Sequence, residues 1–207
     1  MSKTQDFEQQ DKEYIANTYG RFNVCFEKGK GSLLWDVEGK EYIDLGSGIG
    51  VTAFGVDDDE WSKAVIAQTH ALNHISNLYY SVPQIKLAEL LCKQTGMKKV
   101  FFCNSGAESN ECAIKAARKY SHDKYGDGRN VIVTLVNSFH GRTVTTLSAT
   151  GQDVFHQHFF PFTEGFVHTP ANDIDAALKV LANPAVCAIM MEPIQGEGGV
   201  MPLEDGR

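Results

Sequence analysis

The hydrophobic pattern changes period several times along the chain, and each change marks an element. Residues 33–45, LLWDVEGKEYIDL, set two apolar, β-prone runs on either side of Glu38-Gly39, which predicts a hairpin. From Asp58 or Asp59 the spacing becomes helical, with Trp61, Ala64, Val65 and Leu72 on one face. A second helix is predicted from Pro83, which suits a first turn, through Leu87, Leu90 and Leu91 to Gly96. Residues 100–103 form a short continuous apolar run that reads as a buried strand. A tight turn at Ser105-Gly106-Ala107 and a helix over about 107–120 follow. Ala113, Ala116, Ala117 and Tyr120 share a face of that helix, and Glu111 and Lys115 are spaced for an i,i+4 pair. Apolar strands are predicted again at 131–136 and 186–191, with a short helix, DIDAALKVLAN, capped by Asp173 between them. Continuous apolar strands alternating with helices predict an α/β fold with a mostly parallel sheet covered on both faces. The hairpin and the residues before it form a separate segment, 1–55, and 56–207 form the larger part.

Composition narrows the function classes. The 207 residues are 43% hydrophobic and 22% charged, within the range of a globular protein. A net charge of −7 argues against a nucleic-acid partner. The clearest charge run, Asp57 to Asp59, reads as a helix start. The polar N-terminus, MSKTQDFEQQDKEY, has no apolar signal region, and no stretch is apolar enough to span a bilayer. A cytoplasmic protein without a membrane partner is the expectation. Five cysteines, at 25, 92, 103, 112 and 187, are odd in number and show no C-x-x-C spacing. Reduced thiols are expected, with Cys92, Cys103 and Cys187 in the core. His156 and His158 have H-x-H spacing but no further ligand nearby, so no metal site is assigned.

One glycine-rich stretch, YIDLGSGIG, resembles the cofactor loop of an S-adenosylmethionine-dependent methyltransferase. Such a loop follows the first strand of a parallel sheet and opens directly into a helix. Here the glycines follow a hairpin strand and lead into VTAFGV. That makes the methyltransferase a remote alternative. In open α/β sheets ligands bind at the carboxyl ends of strands, and three loops qualify. NSGAES joins a strand to a helix, where free N–H groups and the helix dipole attract an anion; Ser105 and Glu108 equally have capping-box spacing. SFHGRT offers Phe139 to cover a flat ring and Arg142 to fork a carboxylate. Each is also an ordinary residue of a strand-end loop. MEPIQGEGG puts Glu192 at the sheet edge and Glu197 among glycines, to orient a cationic group or hold a gate.

Taken together and in order, FFCNSGAESNECAIKAAR, NSFHGRTVTTLSATG and MEPIQGEGGV resemble the class III aminotransferases, fold-type I enzymes that use pyridoxal 5′-phosphate. HISNLYYSVPQIKLAELL and LWDVEGKEYIDLGSGIGV are similar to the acetylornithine-processing subgroup of arginine biosynthesis. The resemblance implies the large domain of that fold, incomplete here, with a small-domain segment at 1–55. It implies that Ser105, Gly106 and Ala107 hold the cofactor phosphate, that Phe139 stacks on its ring, and that His140 and Glu192 lie beside it. Arg142 would bind a substrate carboxylate, and Glu197 would pair with a gating arginine of the second half. The implied reaction moves the δ-amino group of N-acetylornithine to 2-oxoglutarate in a homodimer. Ornithine, succinylornithine and 4-aminobutyrate are the alternative donors.

The lysine and aspartate that complete such a site are expected beyond residue 207, because no DEVQ-like motif appears and Lys98, Lys99, Lys115 and Lys119 stand in other contexts. The sequence therefore reads as the first half of an enzyme, inactive alone and with apolar faces exposed. GVDDDEW replaces the family's Gly-His…His-Pro segment, and Ser109 stands where alanine is usual.

Overall fold

Local capping chemistry starts the chain. In the computed structural model, which describes residues 2–204, Ser2 and Gln5 close a reciprocal capping box on helix α1 (Lys3–Tyr14). This helix was not legible from its polar sequence. It is tied down by Thr4, whose N–H and hydroxyl both donate to the Glu38 carboxylate, at 2.9 and 2.6 Å. Strands β1 (Phe26–Lys30), β2 (Leu33–Asp36) and β3 (Glu41–Ile43) form an antiparallel sheet in the order β1-β2-β3. The expected hairpin is β2–β3. Its turn is organised by the Asp36 carboxylate, which accepts from the N–H groups of Glu38 and Lys40 and the Tyr42 hydroxyl. Burial works to raise the Asp36 pKa, but these donors outweigh it and hold the carboxyl below its usual value.

The glycine-rich exit from β3 is a coiled loop. Ser47, Gly48, Ile49 and Gly50 all take left-handed φ, from 47° to 83°. Helix α2 (Asp59–Leu72) begins only after a further bridge between Gly31 and Val56. The three aspartates before and within its start divide the work: Asp58 caps the Trp61 N–H, while Asp57 and Asp59 both grip Lys30. Helix α3 (Val82–Thr95) has Pro83 in its first turn, as expected. The apolar faces of these helices are open, with Trp61 59% and Leu90 54% exposed.

In the remainder, α4 (Gly106–Tyr125), β4 (Val131–Leu135), α5 (Val144–Ala149), β5 (Phe166–Thr169), α6 (Ile174–Leu181) and β6 (Val186–Ile189) follow in order. A short antiparallel pair, β7 (Ile194–Gln195) and β8 (Met201–Pro202), comes last. Strands β5-β4-β6 form a parallel sheet with β4 in the centre. Ile114 of α4, Ile132 of β4 and Ala149 of α5 are its buried nucleus, with Ala117, Phe166, Cys187, Ala188 and Met190 packed around them. The α/β class and parallel sheet agree with the sequence pattern.

Three expectations need correction. Residues 100–103 are not a strand: a strand needs a neighbour to exchange backbone hydrogen bonds, and among the described residues none pairs with this run. Cys103 is accordingly exposed rather than in the core, and Cys92 and Cys187 are half-buried. Glu111 does not pair with Lys115; its carboxylate accepts the Thr143 hydroxyl at 2.5 Å, a closer and more directional partner.

The chain divides into two compact units, Met1–Ile85 and Lys86–Arg207. This is a division by packing; the small-domain assignment of 1–55 stays a proposal.

Candidate functional site

The second unit brings two of the three expected loops onto one cavity. A space of about 490 Å³ is lined by Gly106, Ala107 and Asn110 from α4 and by Phe139 to Thr143 from the loop after β4. On the α4 side, the N–H groups of Gly106 and Ala107 have no carbonyl one turn behind them within the helix. Nothing lies within 4 Å of where a Gly106 side chain would begin, so this wall of the cavity is unobstructed at Gly106. They begin a helix of twenty residues, long enough for a full dipole. Ser105 is the N-cap, accepting the Glu108 N–H at 3.2 Å. The reciprocal arm of the capping box is displaced: Glu108 reaches the N–H of Asn104, one residue upstream of the cap.

On the opposite side, Gly141 has φ 120°, and a Cβ there would lie 2.7 Å from both Ala107 Cβ and Thr146 Oγ1. Only glycine lets the loop close against the start of α4. Phe139 is half-buried and meets Phe155 edge-on at 5.7 Å. Arg142 is exposed, with its guanidinium 6.0 Å from the centre of the Phe139 ring. The two residues expected to handle a ring and a carboxylate therefore sit together.

Glu192 and Glu197 play supporting parts. Glu192 Oε2 accepts the Phe139 N–H at 2.9 Å, which binds the third loop to the second. Gln195 does the same one strand end away, donating to the Val136 carbonyl at 2.8 Å. Glu197 accepts from the Gln152 side chain. His140 is 3% exposed, and its Nε2 is buried without a partner. Burial pushes its pKa below the ordinary histidine value; the Glu192 carboxylate pulls the other way and His168 reinforces the drop. Burial thus favours the neutral ring.

Sequence reading missed Gly141, Asn110, Thr150 and Gln152. Gly141 stood inside a motif already quoted, and its position between Phe139 and Arg142 was the available signal. Asn110 and Thr150 act from 30 and 10 residues away on the backbone of His140, where no local pattern betrays them.

Known proteins show the same arrangement of chain. Residues 14–206 match the family described as aminotransferase class-III. The acetylornithine aminotransferase of Haemophilus ducreyi is 56% identical over 196 residues, covering 95% of this chain and 50% of that protein. Among solved structures, the ornithine aminotransferase of Toxoplasma gondii superposes with a TM-score of 0.92 at 29% identity, over 99% of this chain and 49% of that one. The N-acetylornithine aminotransferase of Stenotrophomonas maltophilia is 36% identical with a TM-score of 0.76, over 96% and 47%. The chain spans about half the length of the relatives it matches. With a family match across nearly its whole length, and with two loops of the family's pattern converging on one cavity, the chain belongs to the class III aminotransferases.

Proposed function

We propose that this chain carries the phosphate- and ring-binding part of a pyridoxal 5′-phosphate-dependent aminotransferase. The observation that carries the reading is the cavity shared by the open N-terminus of α4 and the loop bearing Phe139 and Arg142. The residues fit such a cofactor: the first N–H groups of α4, which lack partners within the helix, border the cavity beside an unobstructed Gly106, and the opposite wall closes on Ala107 only because Gly141 lacks a side chain. Ser105, Gly106 and Ala107 hold the phosphate, Phe139 covers the ring, and His140 and Glu192 brace it from the loop backbone.

Bound pyridoxal phosphate supplies the electron sink for the carbanion at the amino-bearing carbon. The protein's own residues bind and orient. Arg142 forks a substrate carboxylate, and its place over Phe139 sets that carboxylate at the edge of the ring site. Glu197, here held by Gln152, is the partner proposed for a gating arginine of a second half. The lysine and aspartate needed to move the proton and hold the ring nitrogen are proposed to come from that half as well, so residues 1–207 alone bind without turning over.

The proposed reaction is transfer of the δ-amino group of N-acetylornithine to 2-oxoglutarate, in a cytoplasmic homodimer. The support is the 56% identity to an acetylornithine aminotransferase. A decisive test continues residues 1–207 with the second half of that relative and measures glutamate formation. N-acetylornithine should be preferred. Faster turnover of ornithine, succinylornithine or 4-aminobutyrate would move the assignment to that donor. Titrating the 207-residue chain with pyridoxal phosphate should show saturable binding that Phe139→Ala weakens by about tenfold. No saturable binding, or indifference to Phe139→Ala, would overturn the site.

A further inference from the structure

The loop from Phe139 to Gly141 belongs to neither helix nor sheet, yet its peptide groups are held one after another by side chains. The Phe139 N–H donates to Glu192. The His140 N–H donates to Thr150 Oγ1 at 2.9 Å, and the His140 carbonyl accepts from Asn110 Nδ2 at 2.8 Å. The Gly141 carbonyl faces the Thr150 hydroxyl at 3.1 Å. Thr150 is wholly buried at the C-cap of α5. A threonine there has a local partner, the Thr146 carbonyl at 3.0 Å, and that contact alone would be ordinary helix-end chemistry. The two long-range contacts go further, because they join the end of α5 to the peptide on which Phe139 and Arg142 hinge.

We propose that Thr150 is a positioning residue of this site: its buried hydroxyl, with Asn110 as second tether, fixes the loop backbone so that Phe139 and Arg142 face the cavity together. The inference rests on the reading that the cavity takes pyridoxal phosphate. Thr150→Val keeps the side-chain shape and removes the hydroxyl, leaving the His140 N–H buried without an acceptor. Thr150→Ser restores it.

The test combines amide hydrogen exchange at His140 with titrations of the 207-residue chain by pyridoxal phosphate and by inorganic phosphate. Thr150→Val should speed His140 exchange and weaken pyridoxal phosphate binding, each by about tenfold or more. Affinity for inorganic phosphate, which needs only the α4 terminus, should be unchanged, and Thr150→Ser should restore both losses. Unchanged exchange in Thr150→Val overturns the tether. Unchanged pyridoxal phosphate affinity beside faster exchange, equal loss for both ligands, or no recovery in Thr150→Ser overturns the positioning role. Should Thr150→Val fail to fold, Asn110→Ala carries the same test, with about threefold effects expected for a half-buried donor. A wild-type chain that ignores pyridoxal phosphate overturns the reading of the cavity, while exchange at His140 still decides the tether.

Discussion

The two units of this chain are built by different means. In the first, short-range devices shape caps and turns (a capping box, an aspartate organising its own turn and an aspartate cap), and a few exposed long-range ties, Thr4 to Glu38 and Lys30 to Asp57 and Asp59, join them. Among the described residues of that unit, Asp36 and Val37 are the buried ones. In the second, a parallel sheet brings together segments far apart in sequence, and buried hydroxyls fasten the loops at its edge. Ser138, Thr146, Ser148 and Thr150 are all buried there and hold loop backbone. A turn or cap held by neighbours in sequence tolerates local change locally, whereas a loop held by buried distant partners transmits it to the site.

The sharpest way to break this contrast is with glycines. A Cβ at Gly151 would stand 2.0 Å from the Leu135 carbonyl oxygen, so Gly151→Ala should cost the second unit about 3 kcal/mol or more. A Cβ at Gly39, φ 87°, meets nothing, so Gly39→Ala should cost the first unit only the left-handed strain, about 1–2 kcal/mol. Urea unfolding followed by residue-resolved exchange separates the two, and similar costs would erase the distinction. Next in size is Glu192→Ala. It strips the Phe139 N–H of its acceptor and should weaken pyridoxal phosphate binding by about tenfold while sparing inorganic phosphate.

The helix caps sharpen the comparison further. Asp58→Ala and Ser105→Ala should each cost about 1 kcal/mol, but only Ser105→Ala should also lower phosphate affinity. A loss of phosphate binding in Asp58→Ala would contradict the placement of the anion site.

Acid gives the smallest and most graded effect. Burial lowers the pKa values of His140 and His168, so the unfolded chain binds more protons than the folded one over that range. The second unit should lose stability as pH falls below the ordinary histidine value of 6.5. In the first unit Glu38 is held low by hydrogen bonds from Thr4, and Asp36 by its turn donors. Their contribution persists above the usual values of 4.5 and 3.8 and is lost only as pH falls further, through the lowered ones. Denaturant midpoints followed separately in α2 and α4 should part company between those ranges. His140→Gln should flatten the slope of the second unit alone.

Much of the second unit was legible because its strands are continuous apolar runs and its helices carry caps: Ser105 and Asp173 both announce the helix they start. Strand β5 was not, since FVHT is short and ends in a threonine whose hydroxyl lies buried. Strand β1 was hidden by FEKGK, a largely polar run without the apolar alternation that marks a strand. At the site, the residue types proposed to meet a ligand, Gly106, Phe139 and Arg142, stood out by their chemistry. The residues that hold those in place did not, because a buried threonine or asparagine looks the same in sequence whether it binds its own helix or a loop thirty positions away.

The fastening of the 139–141 backbone also sets a rule for recombination. A crossover within residues 138–151 would separate Thr150 from the peptide it holds, and a graft of that block would still depend on Asn110 and Glu192 in the recipient. Chimeras between relatives should therefore exchange these pieces as one inherited unit. An insertion or deletion inside the block shifts the tethers out of register even when every ligand-facing residue is retained.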